Sequence, residues 1–230
     1  MNNKIATLAL GTALAFAAGG AYADDGGPND VRLGAYFVHY QASADNISGP
    51  FVPSGLNLHV DNVTTLYFAY VRALSANWDL ELTAGYPPLT KTEGRGPAKI
   101  GSLPYNGQVI STARWLAPSL LLEYVFGDPS DRLRPYFGAG VNYTQFISRQ
   151  STALGNALNG GPTSISLPPS IGPAITAGLS YKVTDRWHVY ASYSVAQVNS
   201  KLTANTAGMI RTTEIRFWPN AIVLAVGFSF

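Results

Sequence analysis

The chain has 230 residues, 47% of them apolar and only 12% charged, with a formal charge of +2. An average soluble domain carries roughly 25% charged residues, so something other than water must face much of this surface. Near-neutrality without a basic run argues against nucleic acid as a partner, and the lack of cysteine excludes disulfides, thiolate metal sites and cysteine nucleophiles.

Residues 1–23 begin Met1-Asn2-Asn3-Lys4, continue as an apolar stretch from Ile5 to Ala18 and end in Ala21-Tyr22-Ala23. A positive start, short apolar core and A-x-A end predict a secretory signal peptide cut after Ala23. The apolar core is shorter than the roughly 20 residues of a spanning helix and contains Gly11. No later stretch is apolar enough for such a helix. For residues 24–230 the expected class is therefore all-β: an eight-stranded antiparallel transmembrane barrel. Only a closed barrel satisfies its backbone in lipid while giving a weak hydropathy signal.

The strands are read from period-2 alternation. Val31 to Tyr40 and Asn62 to Ala73 are rich in aromatic and β-branched residues. Trp78, Leu80, Leu82, Ala84 and Tyr86 alternate with Asp79, Glu81, Thr83 and Gly85. Leu120, Leu122, Tyr124 and Phe126 oppose a face with Glu123, and Phe137, Ala139, Val141 and Tyr143 oppose Gly138, Gly140, Asn142 and Thr144. Ile175 to Lys182, Trp187 to Ala196 and Ile222 to Phe230 repeat the division, with Leu179 and Val189 assigned to lipid and Ser180 and Ser192 to the lumen. Residues 75–77, 127–133 and 183–185 read as short turns, and 41–61, 91–110, 150–169 and 201–211 as longer loops. Short periplasmic turns alternating with four long extracellular loops is the pattern of bacterial barrels. A lipocalin-like barrel or secreted sandwich would also alternate; the signal peptide, the turn asymmetry and a strand ending on Phe230, which resembles the C-terminal signal of bacterial outer-membrane proteins, weigh against both.

Catalytic signatures such as HExxH and GxSxG are missing from the chain. His188 and Ser192 share a face but lie four residues apart, roughly 13 Å along a strand and beyond hydrogen-bond reach. His39 and Ser43 have the same spacing. The reading is therefore no enzyme, no catalytic residue, no metal and no cofactor.

Three stretches carry a resemblance: V-D-N-V-T-T-L-Y-F-A-Y-V-R-A-L-S-A-N-W-D-L-E-L-T-A-G-Y-P from Val60, L-A-P-S-L-L-L-E-Y-V-F-G-D at 116–128 and R-P-Y-F-G-A-G-V-N-Y-T-Q-F at 134–146. Together with the Pro219-to-Phe230 ending, the chain resembles the OmpW/AlkL family of small outer-membrane proteins. That resemblance implies a multi-pass barrel of the Gram-negative cell outer membrane, whose lumen is a narrow route for small hydrophobic molecules with sideways release into the membrane. The implied partners are outer-membrane lipid and lipopolysaccharide, small hydrophobic solutes and, during biogenesis, the barrel-assembly machinery. The chain departs from the family in having Leu116-Ala117-Pro118 where two prolines usually stand, and 150–169 is not expected to form the family's helical, acidic third loop.

An eight-stranded barrel is filled by its own side chains, so a hydrophobic solute needs an apolar recess of a few hundred Å³. Leu56, Leu58, Tyr67, Tyr136, Phe146 and Leu167 are the candidates for an upper recess. A side exit needs a break in the strand ladder, which proline supplies by lacking an N–H; Pro87, Pro88 and Pro118 are expected to flank it, or simply to end strands. Arg32, Asp79, Glu81, Glu123, Lys182 and His188 are predicted to point inward as a charge network plugging the periplasmic end. The alternative function is a structural, adhesion or receptor barrel acting through its extracellular loops.

Overall fold

A computed structural model describes residues 28–40, 42–100 and 102–230. The predicted signal peptide lies outside the described residues. Eight antiparallel strands close into a barrel: β1 (Asn29–His39), β2 (Val63–Ala73), β3 (Trp78–Gly85), β4 (Ser119–Val125), β5 (Leu133–Ser151), β6 (Ser170–Lys182), β7 (Trp187–Ala196) and β8 (Asn220–Ser229). Each pairs with the next, and β8 returns to β1 with Arg32 opposite Gly227 and Tyr36 opposite Val223. Closure leaves no edge strand within the apolar band, which lipid would not tolerate.

The alternation read from sequence resolves into two faces. Leu33, Leu82, Leu122, Phe137, Val141, Leu179, Val189 and Leu224 are exposed on the outside, while Tyr67, Glu81, Glu123, Tyr136, Tyr190 and Val223 are buried inside. Aromatics collect at the lower rim, where Trp78 packs edge-on against Tyr124 at 5.1 Å and Trp187 against Phe228 at 5.1 Å. Such rings suit a headgroup interface, with one end apolar and the other wet.

The segments expected as loops are largely β-structured. Residues 89–95 and 109–116 form a hairpin continuing β3 and β4 outward, flanked by 57–60 and by the upper part of β5. Val198–Thr206 and Met209–Phe217 form a second hairpin, joined by 42–44 and 163–166 into a separate four-stranded sheet. The 150–169 segment also corrects its expectation, because Ala153–Asn159 is an α-helix. Its ends are set locally. The Thr152 hydroxyl accepts from the Gly155 N–H at 2.9 Å, and Gly160 ends the helix at φ 84°, where a residue with a Cβ is disfavoured. The helix lacks acidic residues in its first turn, so it is helical without being acidic.

Candidate functional site

The lumen is organised as three levels between two open ends. The lowest is built around Arg32 of β1, 6% exposed. Its Nη1 donates to Glu81 Oε2 at 2.6 Å and lies 3.8 Å from Glu123 Oε2, and its Nε donates to Asp30 Oδ2 at 3.1 Å. The Tyr67 hydroxyl donates to Glu81 Oε1 at 2.9 Å and the Tyr190 hydroxyl to Asp30 Oδ2 at 2.7 Å. The guanidinium carbon stands 3.9 Å from the Tyr190 ring centre and 5.7 Å from that of Tyr136, inside the range of cation–π attraction. Neither oxygen of Glu123 has a hydrogen-bond partner among the described residues, so the ion pair with Arg32 is its tie. These rings need room. A Cβ on Gly178 would meet the Tyr136 ring at 2.6 Å, and one on Gly227 would meet Tyr190 at 2.6 Å.

Of the six residues expected in a charge network, Arg32, Glu81 and Glu123 meet. Asp79 borders the same group from a cavity of about 650 Å³ that opens toward the periplasmic turns. Lys182 and His188 line that cavity lower down: the Lys182 ammonium pairs with Asp185 of the turn at 3.3 Å, and His188 Nδ1 shares a 3.3 Å hydrogen bond with the Ser229 hydroxyl. Asp30, Tyr67 and Tyr190 complete the knot beyond the six residues expected there. Asp30 preceded the predicted strand start, although its period-2 relation to Arg32 carried the signal. Tyr67 and Tyr136 are a correction. Placed by sequence in an upper recess, they lie in the lower cluster with Tyr190 and Val223. The reason is height: β5 rises from the turn that ends at 132, so its inward Tyr136 is level with Arg32, not with the outer loops.

Above the knot lies a void of about 70 Å³ bordered by Tyr36, Thr83, Gly85, Pro88, Ala117 and Ser119. The wall beside it is incomplete. The β3–β4 ladder ends at Thr83 opposite Ser119, and pairing resumes only at Leu89 opposite Arg114. Residues 84–88 therefore face 115–118, five against four, with no ladder pair between them among the described residues. Pro87, Pro88 and Pro118 all lie in this stretch. Other partners satisfy its polar groups: Arg114 Nη1 donates to the Pro87 carbonyl at 2.8 Å, Asn142 Nδ2 donates to the Ala117 carbonyl at 3.3 Å, and the Pro118 carbonyl accepts from the Tyr143 N–H of β5 at 2.9 Å and from Asn142 Nδ2 at 3.2 Å. Buried backbone carbonyls need such partners. Asn142, on the inward face of β5, is thus a structural support of the broken edge.

The third level is an apolar constriction. Trp115 packs against Tyr40 at 4.6 Å, Phe146 at 4.6 Å and Phe217 at 5.2 Å, with Leu58 and Leu167 in the same cluster. Trp115 borders both the void below and a small space above. Beyond it, a recess of about 310 Å³ opens between the extracellular segments, walled by Leu56, Leu58, Tyr105, Ile110, Ile165 and Leu202. The predicted recess residues thus divide: Leu56 and Leu58 line the recess, Phe146 and Leu167 the constriction. Burial pushes the Tyr105 phenol above its ordinary range, so it stands in this wall as a neutral group.

No cluster of three or more His, Asp or Glu among the described residues is arranged to hold a metal ion. A family model described as the OmpW family matches residues 27–230. Outer membrane protein W of Vibrio cholerae is 28% identical over 230 residues, spanning 100% of both chains. Dibenzothiophene metabolism operon protein PahQ of Pseudomonas aeruginosa is 28% identical over 166 residues, covering 70% of this chain and 69% of that one. Among solved structures, OprG from Pseudomonas aeruginosa superposes with a TM-score of 0.77 at 22% identity, covering 88% of this chain and 95% of that one.

Proposed function

The chain belongs to the OmpW family, a Gram-negative outer-membrane barrel, and from that premise we propose that it is a channel for small hydrophobic molecules. Solute is taken from the extracellular side into the apolar recess, passes the Trp115 constriction and leaves sideways into the membrane. The observation that carries the reading is the unpaired stretch between 84–88 and 115–118, lying against the interior void. A straight path downward meets the Arg32 knot, where Asp30 and Glu81 are held by charge-assisted hydrogen bonds to the guanidinium and Glu123 by an ion pair. An apolar solute gains nothing by displacing them. The broken wall is the less costly way out, because no ladder hydrogen bond has to be opened there. Roughly 300 Å³ is the lower end of small-molecule sites, which suits a short alkane or a compact aromatic. The operon name of the PahQ relative, dibenzothiophene metabolism, supports solutes of that kind.

The test is uptake by liposomes carrying the purified barrel, with an alkane, a fatty acid and a sugar as probes. Faster entry of the apolar probes with the sugar excluded supports the channel. Equal entry with and without the barrel for all three overturns it, and leaves the loop-mediated adhesion or receptor reading in its place.

A further inference from the structure

The walls of the extracellular recess are apolar, yet two cations border it and no carboxylate does. One is Arg211, on the second strand of the outer hairpin. Its guanidinium is fixed from two sides, Nε donating to the Pro50 carbonyl at 3.3 Å and Nη1 to the Asn159 carbonyl at 3.3 Å and side-chain Oδ1 at 2.9 Å. All three acceptors are neutral, so the charge is oriented without being balanced, and Nη2 has no acceptor among the described residues. The other is Lys99, exposed and without a partner among them. The acids of the extracellular strands are committed elsewhere: Asp45 to Arg216 at 3.3 Å, Glu93 to Arg95 at 3.2 Å and Glu214 to Lys201 at 3.8 Å.

Resting on the channel reading above, we propose that the recess selects amphipathic solutes, an apolar body ending in one carboxylate, with the carboxylate held by Arg211 and Lys99 and the body directed toward Leu58 and the Trp115 constriction. The chemistry favours a carboxylate. The unused Nη2 of the guanidinium can donate to one carboxylate oxygen, and a flexible ammonium supplies a donor for the other and a second positive charge. Partial withdrawal from water in an apolar recess strengthens both contacts. Arg211 also ties the hairpin to the first and third extracellular segments, so this charge is held at a fixed point over the mouth.

The experiment is equilibrium dialysis of radiolabelled octanoate and 1-octanol against the full barrel in nanodiscs at neutral pH, with empty nanodiscs subtracted. The two probes share an eight-carbon chain and differ in charge. Octanoate is expected to bind about tenfold tighter than octanol. Lys99→Gln and Arg211→Gln should each reduce that preference and the double variant abolish it, while Arg211→Lys retains most of it. Since Lys99 holds no partner, Lys99→Gln tests the charge without disturbing the fold. Equal binding of the two probes to the unaltered barrel overturns the carboxylate inference and leaves the apolar channel standing. A preference that survives the double variant also overturns it. Binding of neither probe sinks the recess itself, and with it the channel reading.

Discussion

Arg32 and Glu81 stand on β1 and β3, with all of β2 between them, and yet their side chains meet at 2.6 Å inside the barrel. The strand between makes this possible: Ala69 lies opposite Arg32 and Val71 opposite Glu81, so no large side chain blocks the guanidinium. Asp30 and Glu123 close on it from β1 and β4. The knot thus ties three strands across their width, in addition to the ladder that ties them edge to edge.

Removing the cation from this group leaves three buried carboxylates facing each other. Arg32→Met should therefore destabilise the barrel by about 3–5 kcal/mol, the cost of breaking a buried pair, read as a shift in the urea midpoint of the folded barrel in detergent. Adding Glu81→Gln and Glu123→Gln to Arg32→Met should recover much of the loss, since the charges left behind cause most of it. A loss under about 1 kcal/mol, the size of a solvated pair, contradicts the buried knot.

The two faces of β6 give a second test within adjacent residues. Leu179 points outward and is 46% exposed, whereas Ser180 faces the cavity below the knot. Leu179→Arg should impair assembly by up to about 2–4 kcal/mol, the cost at the bilayer midplane, and Ser180→Arg should be milder because its charge reaches water. The heat-modifiable gel shift of the folded barrel reads both. Equal tolerance would mean that the two faces are misassigned.

Facing was legible in the sequence because alternation is a local property: successive side chains point to opposite sides whatever the rest of the chain does. Lipid then demands bulk and apolarity on one side only. Pro87 and Pro88 fall where the β3–β4 pairing stops, and their missing N–H is likewise a local property of the residue. Height was not legible. Tyr67 and Tyr136 have the right parity and the wrong level, because level depends on register between strands remote in sequence. The outer hairpins were hidden by composition. Lys201-Leu202-Thr203-Ala204-Asn205-Thr206 reads as a loop, yet it pairs along its whole length with Met209–Glu214, in a sheet wet on one side and without lipid to enforce a pattern. The helix at Ala153–Asn159 did carry its signal, in Thr152 and Gly160 at its two ends.

Trp115 separates the extracellular recess from the interior void, and its ring is held by three other aromatics. Trp115→Ala should join the two spaces. The cost is about 3–5 kcal/mol, as for other large core truncations, read from the same urea unfolding. Alkane uptake into liposomes should rise while sugar uptake stays at the background level, since the Arg32 knot below is untouched. If the sugar also enters, the knot does not close the lumen; if alkane uptake is unchanged, Trp115 is not the barrier.

The last prediction concerns the wall itself. Residues 84–88 and 115–118 are unpaired with each other although both continue strands that pair on either side of the break. Two causes act together. Pro87 and Pro88 offer no N–H to the facing strand, whereas Pro118 turns its carbonyl to the Tyr143 N–H of β5 at 2.9 Å, and five residues facing four prevents the ladders above and below from running into each other in register. Replacing all three prolines by alanine restores donors at 87 and 88 for the facing strand, while the donor at 118 meets Tyr143 of β5 and the carbonyl at 87 stays bound by Arg114. Some cross-wall hydrogen bonds should then form, seen as new protected amides in hydrogen exchange, with the extra residue left as a bulge. Alkane uptake should fall several-fold, while the heat-modifiable gel shift and the amount of barrel in the membrane stay as they are. If the amides become protected and uptake is unchanged, solute does not leave through this break. If uptake falls without new protection, the prolines act by shape and not by their missing donors.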